Sequence, residues 1–255
     1  MKLSVSSYSF SQLFAKGALN QFDAISTAKE MGFGGIEFVD ILPHDGSSRE
    51  AYAKRLREEC SRLGMTITNY TIAADFLTGS CGDTKKETAR VKHEIDLAAV
   101  LGAASVRHDA TTGYPAAARG YRGFYDALPV LTDACREVTA YAQTLGIRTM
   151  VENHGFFAQD SERVERLINR VAHVNFGWLV DIGNFVCVDE DPVTAVGRAA
   201  PYAFYAHAKD FHLKSGNKPN PGEGFFQSRG GNYIRGAIIG HGDIPVKQCI
   251  SVLKN

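Results

Sequence analysis

The stretch Leu145-Gly146-Ile147-Arg148-Thr149-Met150-Val151-Glu152 reads as the end of a helix, a reversal and then a strand. A glycine just past a helix can take the left-handed conformation that closes the last turn. The same junction recurs at Met31-Gly32 before GIEF, Leu63-Gly64 before MTIT and Leu101-Gly102 before SVRH. The four glycines stand 32, 38 and 44 residues apart, each gap about one strand-plus-helix unit. Sequence repetition inside the units is poor, so the repeat is architectural. Strand–helix alternation of this kind predicts a parallel sheet.

The helices between the junctions show one apolar face each. Leu56, Cys60 and Leu63 share a face, as do Leu128, Leu131, Val138 and Leu145. Val164, Leu167, Ile168 and Val171 follow the i, i+3, i+4, i+7 pattern after the polar start Asp160-Ser161. Asp191-Pro192 sets a capping side chain before a first-turn proline, and Pro245 opens the last helix similarly. Strands are expected at Leu3–Val5, Gly35–Val39, Met65–Asn69, Ser105–His108, Thr149–Glu152, Trp178–Asp181 and Ala203–His207. Seven strands and seven helices in one α/β chain suit a (β/α)8-type TIM barrel better than an open doubly wound sheet. No G-x-G-x-x-G follows the first strand, where SSYSFSQ stands instead. The sequence stops at Val252-Leu253-Lys254-Asn255, in or just past the seventh helix, so the eighth strand is missing from this chain. The expected organisation is a single barrel domain over residues 1–255. Its Gly/Pro/Asn-rich segment 214–232, after strand seven, is too long for an ordinary connection and is read as a functional loop.

Composition excludes several classes. The 28 basic and 28 acidic side chains balance to zero, which argues against a surface built for phosphate backbones. No apolar run approaches a membrane span, and MKLSVSSYSF lacks the apolar core of a secretory signal. The cysteines Cys60, Cys81, Cys135, Cys187 and Cys249 are odd in number and never paired as C-x-x-C. They suit buried thiols in a reducing compartment, so the expected location is cytoplasmic.

In barrels the chemistry sits where strands end. Six of the eight histidines fall at such ends or in the following loops: His44, His108, His154, His207, His212 and His241. Three apolar runs finish in a side chain able to ligate a divalent ion: Glu152 in TMVENHG, Asp181 in WLVDIGN and His207 in YAHAKD. Two carboxylates and an imidazole suit one Mn, Mg, Co or Zn ion, with positions left for water or substrate.

The series GGIEF, VENHG, VDIGN and HAKD resembles the sugar-phosphate isomerase/epimerase family of xylose-isomerase-like TIM barrels, from Leu3 to the chain end. The resemblance implies a metal held by Glu152, Asp181 and His207, with Glu152 also the catalytic base. It implies a ketose or keto-polyol bound through carbonyl and hydroxyl and isomerised or epimerised through an enediolate. The family commonly carries D-x-x-H on strand six. Here the sequence is Asp181-Ile182-Gly183-Asn184, which argues against multi-zinc chemistry. The family's strand-eight glutamate has no counterpart, so the chain as written is expected to manage at best one-sided proton transfer and to be a poor epimerase.

His108, His154, Lys209 and Arg229 are the expected substrate-binding residues. Lys209-Asp210 reads equally as a rim ion pair. Lys214 and Arg235 are further anion candidates, Phe225 and Phe226 candidates to cover a sugar face, and Glu37 a structural hydrogen-bonder. Competing readings are a lyase or dehydratase on an inosose or 3-keto-glycoside, and an inactive truncated binding module. An apurinic-site endonuclease is disfavoured by Asn184 and by the neutral charge. The expected partner is a small sugar-like molecule, without nucleic acid or membrane, and a homo-oligomer is left open.

Overall fold

A computed structural model describes residues 3–118 and 120–254. The strands are β1 (Ser4–Ser6), β2 (Gly35–Val39), β3 (Thr66–Ile72), β4 (Ser105–His108), β5 (Arg148–Glu152), β6 (Phe176–Asp181) and β7 (Ala203–His207). They are hydrogen-bonded in sequence order in one sheet, and no eighth strand joins that order among the described residues. The main helices are α1 (Gln21–Glu30), α2 (Arg49–Arg62), α3 (Thr84–Leu101), α4 (Phe124–Thr144), α5 (Ser161–Val171), α6 (Pro192–Ala199) and α7 (Val246–Lys254). The last of the residues expected around the seventh helix, Asn255, lies outside the described residues. Among those residues, no helix is long and apolar enough to cross a membrane.

The junctions close as their sequence suggests. Gly32, Gly64, Gly102 and Gly146 all have positive φ, between 66° and 88°. The amide after each glycine reaches back five residues to a helix carbonyl: Phe33 to Ala28, Met65 to Cys60, Ala103 to Ala98, Ile147 to Ala142. This six-to-one closure satisfies carbonyls that the helix end would otherwise strand. Helix starts are capped as well, by Asp160 on the Arg163 amide and by Asp191 on that of Thr194. Leu145 is the exception to the expected apolar face. It follows the last turn of α4 and is 41% exposed.

The chain divides into two compact units. The first comprises Met1–Ala73, Thr88–His108 and Val138–Thr149. Here β1–β2, β2–β3 and β3–β4 pair in parallel. Ile36, Phe38, Tyr70 and Val106 are fully buried. The register slips between Ile36 and Glu37, because Ile36 pairs with Ile67 but Glu37 with Asn69, which leaves Thr68 as an extra residue. A Cβ on Gly35 would lie 2.7 Å from the Thr68 methyl, so the bulge sits over a bare glycine. The slip brings Asn69 Nδ2 within 3.2 Å of Glu37 Oε2, with Ser6 Oγ donating to Glu37 Oε1 and Ser105 Oγ to Asn69 Oδ1. Glu37 is thus a buried structural hydrogen-bonder, as expected.

The second unit comprises Ala74–Glu87, Asp109–Glu137 and Met150–Asn255. It contains β6 and β7, paired in parallel, and repeats the same device. Trp178 pairs with Ala203, then Leu179 with Tyr205, so Phe204 is the extra residue. A Cβ on Gly177 would lie 2.5 Å from the Phe204 ring. After the bulge Asp181 stands opposite His207; an unbroken register would have set it opposite Ala206.

Beyond β7 the chain makes a separate antiparallel sheet, β8 (Asp210–Lys214), β9 (Phe226–Gln227) and β10 (Tyr233–Ala237), in the order β8-β10-β9. The segment 214–232 read as a loop therefore contains a strand. Its end is fastened by Asp189, which accepts from Ser228 Oγ, Gly230 N and Asn232 Nδ2. Phe226 packs edge-on to Phe211, and the Arg235 guanidinium lies over Phe225, so the two rings have neighbours on β8 and β10. The cysteines are all free, and four are buried. Cys81 is exposed, against expectation, because it sits in a left-handed turn with Ser80 outside any helix face.

Two outcomes follow from this packing. Gly177→Ala is expected to cost about 1–3 kcal/mol by driving a methyl into the Phe204 ring. Adding Phe204→Ala should recover much of that loss in urea denaturation; simple additivity would show that the ring does not set the bulge. The second concerns Asp210, which is no rim partner of Lys209. Its carboxylate accepts the amides of Phe211, Gly240, Gly242 and Ile244. Burial raises its pKa, but those amides outweigh burial and hold it below the ordinary carboxylate value. The stabilisation is therefore complete above the unfolded-state pKa and is lost as pH falls through the lower folded one. Asp210→Ala should cost on the order of 3 kcal/mol near neutrality, with the gap to wild type closing below about pH 4 in urea melts.

Candidate metal centre

Strands β5, β6 and β7 end in Glu152, Asp181 and His207. All of β6 and the last four residues of β5 are buried, so these polar groups stand at the tips of apolar runs. Asp181 is fully buried and Glu152 nearly so. His207 Nδ1 lies 3.8 Å from Glu152 Oε1 and 4.0 Å from Asp181 Oδ2. One donor atom from each residue falls within 4.8 Å of the others. Tetrahedral donors about 2.1 Å from an ion stand roughly 3.4 Å apart, so the set needs only a small contraction to share one.

The carboxylates are held from behind. Asp181 Oδ1 accepts the amides of Gly183 (2.9 Å) and Asn184 (3.0 Å). Asn153 Oδ1 accepts from the Asp181 amide and the Trp178 indole, while its Nδ2 donates to the Asp181 carbonyl. Asn184 Nδ2 donates to Glu152 Oε1 at 3.0 Å. Gln159 Nε2 donates to the Asn184 carbonyl. Gly183 is needed where it stands, since a Cβ there would lie 2.9 Å from the Lys209 carbonyl oxygen.

Charge decides what the site can take. Lys209 Nζ contacts Asp181 Oδ2 at 2.9 Å as an ion pair, outside aligned hydrogen-bond geometry, and donates to Asn184 Oδ1 at 3.0 Å. Burial would lower the lysine pKa, but Asp181 and Glu152 outweigh it and hold the group above its ordinary value, so it is charged. The Asp181 and Glu152 carboxylates both act on this ammonium, and Asp181 Oδ2 receives no directed hydrogen bond. Both features, with a donor set of two carboxylates and an imidazole, fit a divalent cation. The nearby Cys187 does not join them. Burial pushes its thiol up to about 11, so it is neutral and a poor ligand.

The other expected site residues are placed differently from one another. His154 Nδ1 lies 2.8 Å from Asp109 Oδ1, and the imidazole is half exposed. Arg229 is engaged by Asp160 and by the Phe156 carbonyl, so its guanidinium ties the β9–β10 turn to the β5 loop. Phe156 itself has a φ of 67°, an uncommon conformation for an aromatic residue, and follows Gly155 at 84°. His108 ends β4 and is fully buried in the first unit. Of these four, Lys209 contacts the Glu152–Asp181–His207 group, through Asp181 Oδ2. Sequence reading missed Asn153 and Gln159. The signal for Asn153 was present, as a polar residue directly after a buried strand end; that for Gln159 was not, because it acts through a backbone carbonyl.

Comparison with known proteins places this geometry. The model of the xylose isomerase-like TIM barrel family matches residues 25–255. Among solved structures, the IOLI protein with a zinc atom superposes at a TM-score of 0.74 and 16% identity, over 100% of this chain and 84% of that one. D-psicose 3-epimerase in the presence of D-fructose gives 0.70 and 15%, over 100% and 81%. The probable 3-DHS dehydratase AsbF from Bacillus anthracis gives 0.70 and 18%, over 100% and 89%. At such identities the likeness is one of fold. Comparison with curated proteins gives no match. The strand order, the junctions and the match over nearly the whole length agree: the chain belongs to the xylose isomerase-like TIM barrel family.

Proposed function

We propose that this chain is a divalent-metal-dependent isomerase or epimerase of a sugar, sugar phosphate or keto-polyol, working through an enediolate. The observation that carries the reading is the convergence of Glu152, Asp181 and His207 at three successive strand ends. A divalent ion held there supplies Lewis acidity to a carbonyl and its neighbouring hydroxyl. Glu152, Asp181 and His207 are its ligands in this reading. Glu152 also takes the α-proton, and the donation from Asn184 Nδ2 fixes the orientation of its carboxylate. The buried strand ends keep bulk water from competing for that proton. With Asn184 in place of a second imidazole and Lys209 beside it, the site is read as holding one ion.

Family neighbours include an epimerase and a dehydratase, and both reactions begin with the same α-proton removal, so the reaction itself is the thing to measure. With Mn²⁺ present, wild type should exchange the α-proton of at least one ketose in a panel with solvent deuterium, followed by NMR. Glu152→Gln should lose the exchange, by about 10²-fold or more. Release of water from the substrate would move the assignment to a dehydratase, and no exchange with any sugar would leave a binding protein.

Metal affinity gives an independent check by calorimetry. Asp181→Asn is expected to weaken Mn²⁺ binding more than Asn153→Ala does, the latter by about 10–100-fold because it only orients Asp181. Equal, undiminished affinity in both variants would mean that the ion binds elsewhere.

A further inference from the structure

Asp181 Oδ2 is the oxygen that faces the His207 ring, so it is the oxygen a shared ion would need. It is also the oxygen in contact with Lys209 Nζ. A divalent ion about 2.1 Å from that oxygen and an ammonium 2.9 Å from it would be like charges only a few ångströms apart. The carboxylate is fully buried, which leaves little water to screen them.

We propose that Lys209 is a built-in monovalent counter-ion for Asp181, which must release Oδ2 before a divalent ion binds and so lowers the affinity of the site. This rests on the reading of Glu152, Asp181 and His207 as metal ligands. Three features show that the lysine is placed there rather than passing by. Gly183 has no Cβ, and a Cβ would meet the Lys209 carbonyl at 2.9 Å, so the turn after β6 admits the Lys209 backbone. Asn184 Oδ1 accepts from the same ammonium at 3.0 Å and provides a place for it to stay after it leaves Asp181. The Asn184 amide also donates to Glu152, so one side chain holds the lysine and a prospective ligand together. A flexible four-carbon stem allows the ammonium to pivot between the two acceptors, which a rigid guanidinium fork would do less readily.

The consequence is a site that is electrically satisfied in part without metal and that binds metal by exchange of cations. Removing the ammonium has opposite effects on the two states. The metal-free chain is left with a buried, unpaired carboxylate and loses stability. The metal-bound chain loses a repulsion.

The test titrates Mn²⁺ into the full chain by electron paramagnetic resonance of the free ion, for wild type, Lys209→Met and Lys209→Arg, with thermal melts of each without metal. Lys209→Met should bind one Mn²⁺ at least about tenfold more tightly than wild type while melting lower without it. Lys209→Arg, which restores the charge, should return to within about threefold of wild-type affinity. Should the methionine variant not fold, Lys209→Gln keeps a donor for Asn184 and carries the same expectation. Unchanged or weaker binding in the uncharged variants, with wild type binding normally, overturns the counter-ion role and leaves the metal site standing. Absence of Mn²⁺ binding in wild type and variants alike overturns the metal site and the counter-ion role with it.

Discussion

A parallel sheet delivers its strand ends to one edge, but side chains reach the same face only if the register is right, and in this chain the register is set by a glycine under a bulge. In β6–β7 the extra residue is Phe204, whose ring lies where a Gly177 Cβ would be. Its effect is to move His207 into the position opposite Asp181. Side chains alternate along a strand, so a one-residue slip changes both the partner and the face. The imidazole and the carboxylate therefore owe their proximity to a backbone irregularity three residues earlier. The first unit uses the same device, with Thr68 over Gly35, and there it aligns Asn69 with Glu37. In one case the aligned pair closes a buried hydrogen-bond network; in the other it forms the candidate metal centre.

This explains which parts of the molecule were legible in the sequence. The helix-to-strand junctions are local: a glycine with positive φ, an apolar residue after it and a carbonyl five residues back all lie within six residues. Strands β2 and β4 consequently start and stop where the pattern places them. Glu152, Asp181 and His207 were readable for a related reason, since each ends an apolar run and the order of runs fixes the order of strands. The bulges were not readable. Nothing near Gly177 in sequence announces a ring from Phe204, and the contact exists only once β6 and β7 pair. The antiparallel sheet β8-β10-β9 was hidden in the same way, because β9 is two residues long and its partner lies beyond a turn fastened to Asp189.

Lys209 and Asp210 show how a local ambiguity is resolved by geometry. As neighbours in sequence they could have paired with each other. Successive residues of an extended chain point to opposite sides, however, so one turns to the strand ends and the other away. Lys209 meets Asp181 and Asn184, whereas Asp210 collects the amides of Phe211, Gly240, Gly242 and Ile244. One dipeptide thereby supplies the candidate site with a cation and anchors the segment leading to α7. Arg229 shows a second such tie within the same unit. Its guanidinium is engaged by Asp160 and the Phe156 carbonyl.

The substitution of asparagine in D-I-G-N acquires a physical meaning from these contacts. An imidazole at this position would offer a further metal donor, and more than one ion could then be held. The amide instead divides its two ends, giving Nδ2 to Glu152 and Oδ1 to Lys209. An ammonium thus occupies the neighbourhood that a second divalent cation would need, and it carries half the charge. Two carboxylates are thereby buried beside one ammonium. In the proposed one-ion reading, the same residues also keep the two carboxylates oriented for the ion.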